Sequence, residues 1–345
     1  MTSSRFFTRL FNWEYWPWQI VYFPVMLYWL WLSIKSRSPF FFFAANPGIE
    51  SGGMLIESKN DILKLIPEHL KPKTILFSYP ASISEVLTGM EERKFRFPVI
   101  GKPDHGERGW MVEKISGQEE LGKYINRIRT DFLIQEFIDY PFEAGVFFCR
   151  YPDQPSGFIS SVVIKELLSV KGDGTSTVRE LVKRSPRANL QLPVLERRIP
   201  DQLNYVPALS EVLELVPVGN HSRGTMFLDG THLIDERLTR VMNHIAVDIK
   251  GFYYGRFDLR CPDRESLFTG RDIRILELNG AKSEPAHIYH PGYPIRKAYE
   301  DLFRHWNTLY HIARINRKMG TRFPSFRTGW ASWTKYRQYQ RLRKP

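Results

Sequence analysis

Between residues 15 and 34 the chain carries no charged side chain, and Arg5, Arg9, Lys35 and Arg37 bracket the run. A helix of that length can reach across a bilayer. However, Pro17 and Pro24 interrupt it, basic residues lie on both sides, and it is crowded with Trp and Tyr, which favour the headgroup region. The pattern predicts an interfacial or re-entrant anchor, with a spanning helix or an apolar arm packed on the folded body as alternatives. Beyond it the periodicities shorten. A helix is expected near residues 59–66 and strands at 74–77, 97–102, 132–137 and 157–168, with a helix over 118–130. The turn Gly172-Asp173-Gly174 feeds a helix that begins at Thr177, where Glu180 completes a capping box. Residues 187–217 read as a loop and helix excursion. A helix at 235–250, strands at 253–261 and 273–278, and a helix at 299–318 close the chain. Strands alternating with helices indicate an α/β or α+β body, and no internal repeat is visible.

With 345 residues, 43% of them hydrophobic, the chain can bury substantial cores, which excludes general disorder. The net charge of +12 suits a nucleic acid, an anionic membrane or a polyanionic small molecule. Its distribution is more informative. No acidic residue follows Asp301, whereas Arg327, Lys335, Arg337 and Arg341 alternate with Trp330, Trp333, Tyr336 and Tyr339 in a basic aromatic tail. No nucleic-acid module is readable, so nucleic acid is not an expected partner. Cys149 and Cys261 are too few for a disulfide framework and lack zinc-site spacing, which fits a reducing cytosol.

The candidate chemistry centres on two strand ends, Gly255-Arg256-Phe257-Asp258 and Glu277-Leu278-Asn279-Gly280. Alternate side chains on a strand share a face, so Glu277 and Asn279 project together, and a neighbouring strand can bring Asp258 beside them. Three oxygen ligands of this kind suit magnesium and its nucleotide phosphates. Arg256 points to the same side, where it can balance charge on a transferring phosphoryl group. Upstream, Lys102 leaves a buried strand beside a loop containing Gly106 and Gly109, a combination able to hold phosphate oxygens. A third segment, Gln135-Glu136-Phe137-Ile138, leads to Glu143 and resembles a hinge that offers backbone groups to adenine and a carboxylate to ribose. His287 and His290 read as hydrogen-bonded loop residues or substrate contacts, and His221 with Arg223 as a turn or an anion contact.

In this order the motifs resemble the ATP-grasp superfamily, especially D-alanine–D-alanine ligase-like carboxylate–amine ligases, over residues 97–311. The resemblance implies phosphate binding by Lys102, Lys165 and Arg256, with Gln135 and Glu136 at the adenine hinge and Glu143 at the ribose. It implies Mg2+, or Mn2+ in its place, on Asp258, Glu277 and Asn279, with Arg256 and Lys102 serving the chemical step. The segment from Gly172 to Leu181 is also similar to one in cyanophycin synthetase-like ligases. Two departures bear on substrate: the region before Phe97 is short and hydrophobic, and the stretch after Asn279 is bulkier and more charged than a D-alanine site needs.

The expected organisation is a membrane-interfacial segment (1–38), a small α/β unit (39–95), an ATP-grasp domain of two α+β lobes with nucleotide between them (96–312) and a basic tail (313–345). The expected function is ADP-forming ligation through an acylphosphate, at the cytoplasmic face of a membrane, on small-molecule or lipid-linked substrates. The rival readings are an ATP-grasp protein that phosphorylates or adenylates without forming an amide, and a non-catalytic peripheral membrane protein that keeps a nucleotide fold.

Overall fold

The computed structural model describes residues 5–342, apart from Ile56, Arg108, Pro217, Val218, Asn220 and the side chains of Ser222 and Leu342. Arg108 of the glycine loop and the last three residues of the basic tail therefore lie outside the described residues. Helices α1 (Arg5–Phe11) and α2 (Trp18–Ser36) open the chain, and α3 (Lys59–Leu65) follows, capped by the Ser58 hydroxyl accepting from the Asp61 amide. The first lobe contains β1 (Thr74–Phe77), α4 (Ile83–Glu92), β2 (Val99–Pro103), β3 (Glu113–Ile115), α5 (Gln118–Arg127) and β4 (Phe132–Glu136). Its strands form one antiparallel sheet in the order β1-β4-β2-β3. Helices α4 and α5 cover one face, burying Val86, Met90, Leu121 and Tyr124 against Val99, Phe132 and Ile134. Each such large apolar side chain contributes about 1.5–3 kcal/mol relative to exposure.

The second lobe contains β5 (Phe142–Cys149), β6 (Phe158–Glu166), β7 (Ser169–Lys171), α6 (Val178–Arg184), α7 (Pro186–Arg198), β8 (Val212–Glu214) and β9 (Met226–Asp229). It continues through α8 (Glu236–Val247), β10 (Tyr254–Cys261), α9 (Arg264–Thr269) and β11 (Arg274–Asn279). Five of these strands make an antiparallel sheet in the order β11-β10-β5-β6-β9, while β7 and β8 pair separately beside α6 and α7. Strand alternation divides the large sheet. Ala144, Val146, Phe148, Phe257 and Leu259 enter the core under α8, whereas Glu143, Gly145, Arg256 and Asp258 share the opposite face. Farther along that face Phe147, Cys149 and Tyr254 pack under α10 (Ile295–Lys318).

One local expectation is corrected. Thr74–Phe77 pairs along its length with β4, with Ile75 opposite Ile134, so this strand and α4 belong to the first lobe and not to a separate unit ending at residue 95. Glu143 lies on strand β5. The basic tail contains α11 (Phe326–Leu342). The N-terminal apolar run also resolves into two faces despite Pro24 inside its helix. Val21, Val25 and Leu32 of α2 are buried, and Tyr28 meets Phe303 of α10 with ring centres 5.1 Å apart. Ile20, Phe23, Leu27, Leu30 and Ile34 are exposed at helical spacing on the other face. Among the described residues no helix is long and apolar enough to cross a membrane.

Candidate active site

The two sheets enclose a cleft of about 600 Å³. On the second-lobe wall, antiparallel register places Asp258 opposite Glu277 and Arg256 opposite Asn279. Cross-strand partners of this kind share a face, so all four side chains meet. On the other flank of β10, Asp258 faces Gly145, where a Cβ would lie 2.9 Å from Asp258 Oδ1 and 2.8 Å from Val163. Glycine is thus what makes room for the charged cluster.

Asp258 is the hub. Arg256 donates to it through Nε at 2.9 Å and Nη2 at 3.0 Å, Asn279 Nδ2 donates at 3.0 Å, and Lys165 Nζ lies 3.2 Å away. Burial raises the Asp258 pKa, but Arg256 and Lys165 outweigh it and hold the carboxyl at about 2. Lys165 also donates to Glu143 at 3.2 Å, and Arg260 grips the other oxygen of Glu143 at 2.8 Å. Arg260 was not among the expected site residues, although it continues the two-residue alternation of Arg256 and Asp258 and could have been found that way.

From the first lobe, Lys102 Nζ donates to Gln135 Oε1 at 3.0 Å and to the Leu276 carbonyl at 3.2 Å, tying β2 to β11 across the cleft. Burial, only partly opposed by Glu277, lowers its pKa to about 8. Gly106 and Gly109 line the cleft in the loop that follows, and Arg223 secures that loop by donating to the carbonyls of Val112 (2.9 Å) and Gly109. Glu136 also lines the cleft, but its carboxylate turns to the edge of the sheet, where the Lys73 amide donates to it at 3.2 Å. Its side chain therefore does not join the cluster.

The histidines separate into two kinds. His287 is buried between Ser161 (2.8 Å) and Asp301 (3.1 Å), and His290 Nδ1 accepts from the Asp229 amide at 3.1 Å, so both are held by the fold. His221 lines the cleft and meets Glu14 at 2.9 Å. Among the described residues no group of three or more His, Cys, Asp or Glu side chains is placed to hold a metal ion. The expected ligand set has two carboxylates and one amide, all hard oxygen donors, and that chemistry suits magnesium.

Sequence reading missed the segment before α3. Backbone bonds from Ala281 and Lys282 to the carbonyls of Gly52 and Gly53 dock it on the stretch after Asn279. This brings Glu57 and Lys59 into the cleft, with Lys59 Nζ 4.0 Å from Glu277. No motif surrounds either residue, so only the long-range pairing reveals them. Glu57 Oε2 is buried without a hydrogen-bond partner among the described residues. Burial raises the Glu57 pKa from 4.5 to about 7, against the opposing pull of Lys282 and Lys59. Between those two values the unfolded chain loses this proton while the folded chain keeps it, so Glu57 makes stability fall as pH rises through that window. Glu57→Gln should therefore melt at higher temperature than wild type at pH 8, with the difference shrinking toward pH 5 in thermal unfolding scans.

No family model matches the chain, and no curated protein does. Among solved structures it is similar to D-alanine–D-alanine ligase from Bacillus anthracis, at 13% identity and a TM-score of 0.42, covering 76% of this chain and 69% of that one. VanG D-Ala:D-Ser ligase from Enterococcus faecalis is similar at 16% identity and 0.42, over 75% of this chain and 62% of that one. A bifunctional glutathione synthetase from Pasteurella multocida follows at 16% and 0.35, over 71% and 36%. The chain thus spans less than two thirds of the second structure and about a third of the third. Two antiparallel sheets clasp one cleft, with Lys102 on one wall and Asp258, Glu277 and Asn279 on the other.

Proposed function

We propose that the protein is an ATP-dependent ligase that joins a carboxylate to an amine and releases ADP. The reading rests on one observation: Lys102 and the Arg256–Asp258–Glu277–Asn279 face meet across a single cleft. In it, ATP lies between the lobes, with adenine against the backbone of residues 136–138 and a ribose hydroxyl donating to Glu143. Asp258, Glu277 and Asn279 would hold Mg2+, or Mn2+, which would neutralise phosphate charge. Lys102, Lys165 and the amides of the glycine loop fix the phosphate oxygens, and Arg256 faces the charge that builds on the transferring group. A substrate carboxylate oxygen attacks the γ-phosphorus and ADP departs with the bridging oxygen's electron pair. The amine then attacks the acyl carbon of the acylphosphate, inorganic phosphate leaves, and the amine gives up a proton. No protein nucleophile takes part. The charged stretch after Asn279, with Lys282 and Glu284 on the cleft wall, speaks for a substrate other than D-alanine.

The test is ATP turnover with magnesium in pools of amino acids and membrane extract, resolving ADP from AMP. Stimulated ADP release supports acylphosphate ligation. AMP release assigns adenylation instead, and ADP release with a phosphorylated product assigns a kinase.

We further propose that the substrate is met at an anionic membrane face on the cytoplasmic side. The exposed apolar face of α2 is flanked by Arg5, Arg9, Lys35 and Arg37, and Trp16 and Trp18 belong both to that surface and to the cleft wall. An apolar helix face with cationic flanks fits anionic lipid headgroups. Co-flotation with vesicles containing phosphatidylserine is expected for wild type, and Phe23→Glu/Leu27→Glu should lose it. Equal recovery of both proteins with the vesicles rejects the membrane face. Vesicle binding without any ATP binding would favour a non-catalytic membrane protein.

A further inference from the structure

The ligase reading leaves α11 without a role. Among its described residues only Gly329 is buried, pressed on Phe40, where a Cβ would strike the ring at 2.1 Å. The Phe326 ring packs on the same Phe40, 6.1 Å between centres. From this anchor the helix runs to the rim of the cleft, which Tyr336, Tyr339 and Gln340 line. All three reach the glycine loop. Tyr336 Oη donates to Glu107 Oε1 at 3.1 Å, Gln340 Nε2 donates to the same oxygen, and Tyr339 Oη donates to the His105 carbonyl. The other oxygen of Glu107 pairs with Lys282, whose ammonium lies 5.3 Å from the centre of the Tyr336 ring. Burial opposes ionisation of Glu107, yet Lys282, Gln340 and Tyr336 hold its pKa at about 2. One carboxylate thus joins the glycine loop, the stretch after Asn279 and the C-terminal helix.

We propose that α11 is a clamp that holds the glycine loop over the nucleotide phosphates, with Tyr336 and Gln340 as positioning residues that act through Glu107. The proposal rests on the nucleotide reading of the cleft. A loop ordered in advance by ties outside itself spends less of its binding free energy on ordering. A clamp that must open before release lengthens the residence time of the nucleotide.

The test is stopped-flow binding and release of methylanthraniloyl-ATP with magnesium, using wild type, Tyr336→Phe/Gln340→Ala and a chain ending at Ser325. Loss of two hydrogen bonds to a carboxylate should speed release in the double variant by about tenfold, with association within about twofold. Amide exchange of residues 104–107, 109 and 110 should accelerate in parallel, with little change in melting temperature. If the shortened chain does not fold, the double variant carries the test. Unchanged release with intact binding overturns the clamp and leaves the ligase reading standing. Faster association with unchanged release also overturns it, because α11 would then be a plug. Failure of wild type to bind both the analogue and unmodified ATP, the latter followed by titration calorimetry, sinks the nucleotide reading and the clamp together.

Discussion

Asp258→Asn should abolish measurable magnesium-dependent ATP turnover, by about 10²–10³-fold or more, since it weakens the ligand set and frees the Arg256 fork at once. The same substitution acts on stability. Asp258 accepts from Arg256 and Asn279 and faces Lys165, in a site with little solvent. Removing its charge leaves Arg256 with a neutral partner, at a cost of about 3 kcal/mol. Urea unfolding measures that loss, so turnover should be assayed well below the variant's melting temperature. The pH dependence has a definite sign. The Asp258 pKa in the fold is about 2, below its ordinary 3.8. Its contribution to stability is therefore complete above the ordinary value and is lost as pH falls toward 2. In Asp258→Asn that part of the acid-induced loss should be missing. Turnover equal to wild type in a folded Asp258→Asn protein would reject the proposed metal and phosphate site.

Lys102→Met is the second large effect. Lys102 spans the cleft from β2 to the Leu276 carbonyl of β11 and is nearly inaccessible to solvent. In the ligase reading its ammonium meets a phosphate oxygen. Methionine keeps the stem's packing and deletes the charge, so ATP affinity should fall by about tenfold to a hundredfold, with about 1–3 kcal/mol of stability lost as Gln135 and the Leu276 carbonyl lose their donor. Burial lowers the Lys102 pKa from 10.5 to about 8. In the free protein, affinity for ATP should accordingly weaken as pH rises through 8, and Lys102→Met should lack this inflection. The stability term runs the other way. Between 8 and 10.5 the unfolded chain binds a proton that the fold does not, so this group makes stability rise with pH there. Titration calorimetry with a non-hydrolysable ATP analogue at pH 7 and 9 checks the binding prediction.

Much of the second lobe was legible because its evidence is local. The Arg256-Phe257-Asp258 and Glu277-Leu278-Asn279 alternations require only that each segment be a strand, and both are. The Thr177–Glu180 capping box formed as expected, for the same reason. The partners of Glu143 were not legible from its own segment. In the structure Lys165 and Arg260 compensate its charge, and neither is near it in sequence. The edge position of β1 was illegible too, since a four-residue strand does not specify its neighbour.

Residue order by itself determined the principal strands and helices of the two lobes, which faces alternate apolar with charged, and that the acidic and amide side chains of β10 and β11 point one way. Those properties follow from the two-residue and 3.6-residue periods of the backbone. Tertiary structure alone decided which distant segments share the cleft. Glu57 and Lys59 arrive through backbone pairing of Gly52 and Gly53 with the stretch after Asn279, and the tail becomes a helix at the cleft rim through Phe40 and Glu107. No local period encodes such contacts, because they depend on surfaces that exist only once the lobes have assembled.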